Sequence, residues 1–258
     1  MKKALPLLLL AVLVLSGCGK KPATTSTTTP AKKTEAINQL AITDRPFVTL
    51  TPRADGKEVT LGINEVKNAT KVEYEIEYQT ATLIQGAFGN IDFTKDTPPV
   101  AKNILFGSCS KNVCKFDEGV TGGSLTLTFS GSDKPYVLKS DFNLQQMFDR
   151  QGVFTSKDAR ATLDVGKTGL PAGTFVIISS TLGLPVTLKG QVIAGPYAFL
   201  AASSPLIKGT LTLKSKDDLT GAKLMYWNGK TLTELNSAIT SGQISAQVTG
   251  LGTFVVVK

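Results

Sequence analysis

The chain has 258 residues, with 28 Lys and Arg against 20 Asp and Glu, a formal net charge of +8 and no histidine. The missing histidine removes the commonest general base, the usual triad partner and the commonest metal ligand together. Hydrophobic residues make up 41%, enough for one or two cored domains, and no basic helix or aromatic-interleaved basic patch argues for nucleic-acid binding.

Lys2 and Lys3 precede an apolar run from Ala4 to Leu15. A spanning helix needs about 20 apolar residues, and this run stops short at Gly19, Lys20 and Lys21. A basic start, a short apolar stretch and small residues before a cut describe an export signal over 1–17. Leu15-Ser16-Gly17-Cys18 resembles the lipobox of bacterial lipoproteins. The resemblance implies cleavage before Cys18, diacylglycerol on its thiol, and a mature chain anchored by lipid at the cell membrane or outer envelope, facing outside the cytoplasm. Two or more acyl chains hold firmly where one is marginal.

Residues 18–40 are rich in Thr, Pro, Ala and Lys and poor in large apolar residues. Such a segment buries too little surface to offset its ordering entropy and is expected as a flexible tether. Its Lys20, Lys21, Lys32 and Lys33 favour anionic lipid headgroups when close to a membrane.

From residue 46 the pattern turns to β. Phe47, Val48 and Leu50 lead through the turn pair Asp55-Gly56 into Val59, Leu61 and Ile63, a hairpin signal. Val72, Tyr74, Ile76 and Tyr78 alternate with Glu73, Glu75 and Glu77, the clearest strand in the chain, apolar face in and acidic face out. The glutamate row reads as a solvated face partly paired with lysines on a neighbouring strand. Further strands are expected around 83–93, 102–108, 124–129 and 136–138, with Gly86 and Gly89 marking a bulge or bend. This density of short strands over 41–146 predicts an immunoglobulin-like β-sandwich.

Cys109 and Cys114 are separated by four residues in a polar stretch. A redox motif wants C-x-x-C, and zinc wants more ligands; with export supplying an oxidising setting, the pair is expected as a structural disulfide across a tight turn. The segment Asp141 to Gly152 carries helical spacing through Leu144, Met147 and Phe148 and reads as a short helical connector, with a last strand of the first domain as its rival.

The β pattern resumes over 152–258. Asn228-Gly229 after Tyr226-Trp227 is a hairpin signal, and one strand is expected from Gln243 to Val257. Gly195-Pro196-Tyr197, Thr210-Leu211-Thr212-Leu213, Tyr226-Trp227-Asn228-Gly229 and Gly252-Thr253-Phe254 stand in an order similar to ZU5-like surface sandwich modules. That resemblance implies a second β-sandwich without the self-cleavage signature of some relatives; it speaks for fold, not activity. The expected fold class is therefore all-β, two tandem β-sandwich domains after a signal peptide and a flexible tether.

Few residues invite chemistry. Ser108 and Ser110 lack a base partner, and Asp217-Asp218 offers too few spaced oxygens for Ca²⁺. Trp227 is a candidate for stacking on a sugar ring, against a reading as core. No catalytic residue, metal site or cofactor is assigned. The expected function is a non-catalytic, lipid-anchored envelope protein presenting sandwich modules for adhesion, recognition or scaffolding. Its partners are the membrane through Cys18 and, as candidates, another envelope protein or a glycan. The alternative is an envelope-anchored, carboxylate-dependent glycan hydrolase, which needs two carboxylates about 5–10 Å apart across a cleft.

Overall fold

The structure is a computed structural model that describes residues 36–258, apart from residue 112 and residues 149–151. The export signal, Cys18 and residues 18–35 of the expected tether lie outside the described residues. After a single 3-10 turn at Ile42–Asp44, the first half supplies β1 (Phe47–Pro52), β2 (Glu58–Asn64), β3 (Lys71–Gln79), β4 (Ile84–Asp92), β5 (Val100–Leu105), β6 (Gly107–Ser110), β7 (Val113–Phe116), β8 (Gly122–Ser130) and β9 (Tyr136–Gln146). The second half supplies β10 (Val153–Thr155), β11 (Ala161–Asp164), β12 (Phe175–Ser180), β13 (Val192–Ala201), β14 (Leu206–Lys214), β15 (Lys223–Trp227), β16 (Leu232–Leu235), β17 (Ser237–Thr240), β18 (Gln243–Gly250) and β19 (Gly252–Val257). The all-β class is as expected. No helix among the described residues is long and apolar enough to cross a membrane.

The strands form a nine-stranded sheet in the order β16-β15-β19-β13-β12-β9-β8-β3-β4. A five-stranded sheet (β10-β11-β14-β18-β17), a three-stranded sheet (β1-β2-β5) and the β6–β7 hairpin complete the fold. The nine-stranded sheet crosses the boundary expected near residue 150, because β9 of the first half pairs with β12 of the second from Gln146↔Phe175 to Phe142↔Ser179. Both expected sandwiches thus share one sheet instead of standing in tandem.

Alternation along β12 explains how one sheet serves two cores. Ile177 belongs to a core with Leu50 and Leu61 of the three-stranded sheet and Ile76, Leu125 and Phe142 of the central one. Val176 and Ile178 belong to the other core, with Leu163, Leu211 and Ile244 of the five-stranded sheet and Phe199 and Phe254 of the central one. Successive strand side chains point to opposite faces, so the two smaller sheets pack on opposite faces of the large one, offset along it. β12 lies where they overlap and is buried on both sides.

Three sequence expectations need correction. The helical connector at 141–152 is absent from its first half: Asp141 to Gln146 continue β9, as the rival reading had it. Phe142 and Leu144 are both buried at a spacing of two, and pairing with β12 supplies the backbone partners that decide for strand. Gly86 and Gly89 mark no bulge, since β3 and β4 pair without interruption from Lys71↔Asp92 to Gln79↔Ile84. The missing side chain of Gly89 instead leaves room for the Tyr74 ring, whose hydroxyl stands where a Cβ would be. The expected strand from Gln243 to Val257 breaks at Leu251, where the chain crosses from the five-stranded to the nine-stranded sheet.

Candidate functional site

A cleft of about 660 Å³ opens where the turn after β1, the segment after β7 and the end of β9 converge. Its volume falls within the range of small-molecule sites. The root of the β6–β7 hairpin builds one wall. Phe106 is fully buried; its N–H donates to the Lys57 carbonyl at 3.0 Å, and its carbonyl accepts from the Asp117 N–H at 3.0 Å. These bonds hold Asp117 at the cleft, where the Tyr78 hydroxyl donates to its Oδ2 at 2.7 Å. Burial, and then the hydrogen-bonded Asp117 carboxylate, push the Tyr78 phenol well above its ordinary range.

An adjoining wall is the Asp55-Gly56 turn. Arg53 holds Asp55 at 2.7 Å, and this bond, followed by the Lys57 N–H, takes the Asp55 carboxyl down to about 2. Gly56 has a positive φ of 70° and leaves no room for a Cβ against the Phe175 ring, so the turn seats directly on β12. Arg53 and Lys57 place their cations over the Phe116 ring at 5.4 and 4.9 Å. Glu118 and Gln146 add polar groups, and Phe148, 55% exposed, gives the mouth an open aromatic face.

The residues singled out in the sequence fall elsewhere. Cys109 and Cys114 are joined and face each other across β6–β7, on the hairpin whose root carries Asp117. Both are exposed to solvent. Ser108 and Ser110 lie on the same exposed hairpin. Glu73, Glu75 and Glu77 form an exposed row flanked by Thr128, Thr126 and Ser124; the lysine that pairs with the row is Lys71 of the same strand, at 2.9 Å from Glu73. Asp218 closes its own turn through Thr220 and binds Lys258 at 2.7 Å. Trp227 is half-buried at the end of β15, lies in neither large core and does not line the cleft.

A smaller polar cavity of about 220 Å³ lies where β12 diverges from β9, lined among others by Arg45, Lys139, Lys157 and Asp158. Tyr197 donates to Asp158 there at 2.5 Å. Among the described residues, the buried Ser179 hydroxyl at this cavity has no hydrogen-bond partner.

The sequence did not point to the cleft, because its walls come from segments far apart in the chain. No protein-family model matches this chain, and no curated protein or solved structure matches it either.

Proposed function

We propose that this protein acts by binding, as a lipoprotein held to the envelope through Cys18, and that the cleft takes a hydroxyl-rich ligand, a glycan segment. The observation that carries the reading is the exposed Phe148 ring lining the same cleft as Asp117, Glu118 and Gln146. An aromatic face packs against the C–H surface of a sugar, while carboxylates and an amide accept and donate to its hydroxyls; few convergent polar groups on an apolar surface are what orient a ligand. The anchor reading is supported by the basic start and Leu15-Ser16-Gly17-Cys18, and the Cys109–Cys114 bond suits a compartment outside the cytoplasm.

Asp117 and Glu118 in one cleft also favour the alternative, a carboxylate-dependent glycan hydrolase. Asp55, the third acid, is tied to Arg53 and stays ionised at neutral pH, which suits an acceptor and not a proton donor. One experiment separates the readings: titration of the mature protein with soluble peptidoglycan fragments and neutral oligosaccharides, with reducing ends assayed in parallel. Binding that weakens about tenfold in Phe148→Ala, equivalent to ~1.4 kcal/mol, with no new reducing ends, is the expected result. Release of reducing ends that stops in Asp117→Asn would establish the enzyme. Absence of saturable binding to every glycan would sink the cleft reading.

A further inference from the structure

β-Sheet edges expose unpaired N–H and C=O groups, and natural proteins guard them by shortness, charge, proline or bulges. Most edges here are guarded. β16, β10 and β17 have four, three and four residues, β1 ends in Pro52 and lends its Val48 N–H to Thr181, and β5 carries Lys102. β4 is the exception. It runs for nine residues along an edge of the nine-stranded sheet, with an unbroken register to β3 and no charge or proline from Ile84 to Ile91. Ile84 and Phe88 on it are 72% and 86% exposed.

The hydrogen-bonding side of each residue follows from the ends of the strand pair. Phe93 N–H donates to Thr70, and Leu83 accepts from Thr80, so the odd-numbered residues of this strand turn their backbone groups toward β3. Alternation then turns those of Ile84, Gly86 and Phe88 to the free edge, with their side chains on the face that carries Glu75. Among the described residues no strand lies beyond them.

We infer that β4 pairs antiparallel with β4 of a second copy about a twofold axis at Gly86. In that register Gly86 faces Gly86, and Ile84 of each copy faces Phe88 of the other, so the exposed large apolar side chains of the edge cover each other twice. Every free N–H and C=O of the three residues finds its counterpart, as hydrogen-bonded antiparallel pairs require. The pairing is isologous, hence closed at two copies. The uncharged run from Ile84 to Ile91 puts no like charges opposite each other across the seam, whereas an unrelated partner strand would need its own match to this pattern.

The test uses the mature chain in a Cys18→Ser background. Gly86 has open space for a side chain, its nearest neighbour being the Ile76 carbonyl oxygen at 3.5 Å, so Gly86→Cys should fold with an unchanged melting temperature. A short bis-maleimide should link that variant into a covalent dimer. Sedimentation equilibrium should show a monomer–dimer equilibrium weakened by about tenfold or more in Phe88→Lys, since two cross-strand pairs are lost per dimer. A protein that stays monomeric at every concentration, a dimer indifferent to Phe88→Lys, or a dimer not linked at position 86 would overturn the inference. So would slow amide exchange at Ile84, Gly86 and Phe88 in the monomer, which would mean that another part of this chain already covers the edge.

Discussion

Ile177 and Ile178 are consecutive residues of one strand, both fully buried, and they belong to different hydrophobic cores. Each closes a sandwich whose other sheet lies on the opposite side. The backbone between them mechanically couples two halves that the sequence presents as separate.

That coupling predicts a single unfolding transition. Truncating either residue, Ile177→Ala or Ile178→Ala, should cost about 2–5 kcal/mol. The sole tryptophan, Trp227, lies in the second half, yet its fluorescence should report the Ile177→Ala loss in full, with the same urea midpoint as circular dichroism. A Trp227 transition untouched by Ile177→Ala would restore independent domains.

Alkali should weaken the fold before it damages the chain. Burial raises the Tyr78 and Tyr197 phenols, reinforced by Asp117 and Asp158 respectively, and burial pushes Tyr136 up to about 12. An unfolded tyrosine titrates near ~10, so the folded state favours the neutral phenol. The resulting stabilisation is complete below about pH 10 and is lost as pH rises through the folded values. The urea midpoint should fall above about pH 10, and Tyr78→Phe should flatten that fall. A midpoint that holds steady into strong alkali would contradict it.

The disulfide should matter more to the cleft than to the fold. Its closed loop holds four intervening residues, and the hairpin lies outside both large cores. The double variant Cys109→Ser/Cys114→Ser should therefore lose less than the ~3 kcal/mol expected for a 15-residue loop. Because the hairpin root fixes Asp117 through Phe106, glycan affinity should drop further than global stability does. Thiol labelling of denatured, unreduced protein should find neither cysteine free.

Gly89 tests how tightly the edge strand is fitted. A Cβ there overlaps the Tyr74 hydroxyl, and Tyr74 is buried. Gly89→Ala should cost about 1–3 kcal/mol as an overpacking change, while Gly86→Ala in the same strand should be nearly silent. Equal effects in thermal melts would refute the distinction.

Much of this architecture was readable because it is local. Val72 to Tyr78 alternate for a whole strand, Asp55-Gly56 and Asn228-Gly229 turn tightly, and Cys109 and Cys114 lie within one hairpin. The pairing of β9 with β12 was hidden, since β10 and β11 intervene and nothing in Phe142 or Leu144 names a partner so far along the chain. Leu144 in the strand and Met147 and Phe148 just past its end also satisfy helical spacing, and only tertiary contact separates the two periods. The cleft was invisible for a related reason: Asp55, Asp117, Phe148 and Phe175 meet only after four separate segments have folded.

Burial of β12 on both faces also sets a schedule. A chain emerges N-terminus first, so the strands through Gln146 are made before Phe175–Ser180 exists to flank β9. At about 5–20 residues per second, synthesis leaves a gap of roughly two to seven seconds before Leu182 appears. During that interval the early half lacks Ile177 from its interior, Thr181 as acceptor for Val48, and the β12 partner of Phe142 to Gln146 in β9. It waits with the end of β9 unpaired, which is the form in which strands are most open to the wrong neighbour. A ribosome stalled anywhere in that interval would hold more than half of the protein made and none of it finished.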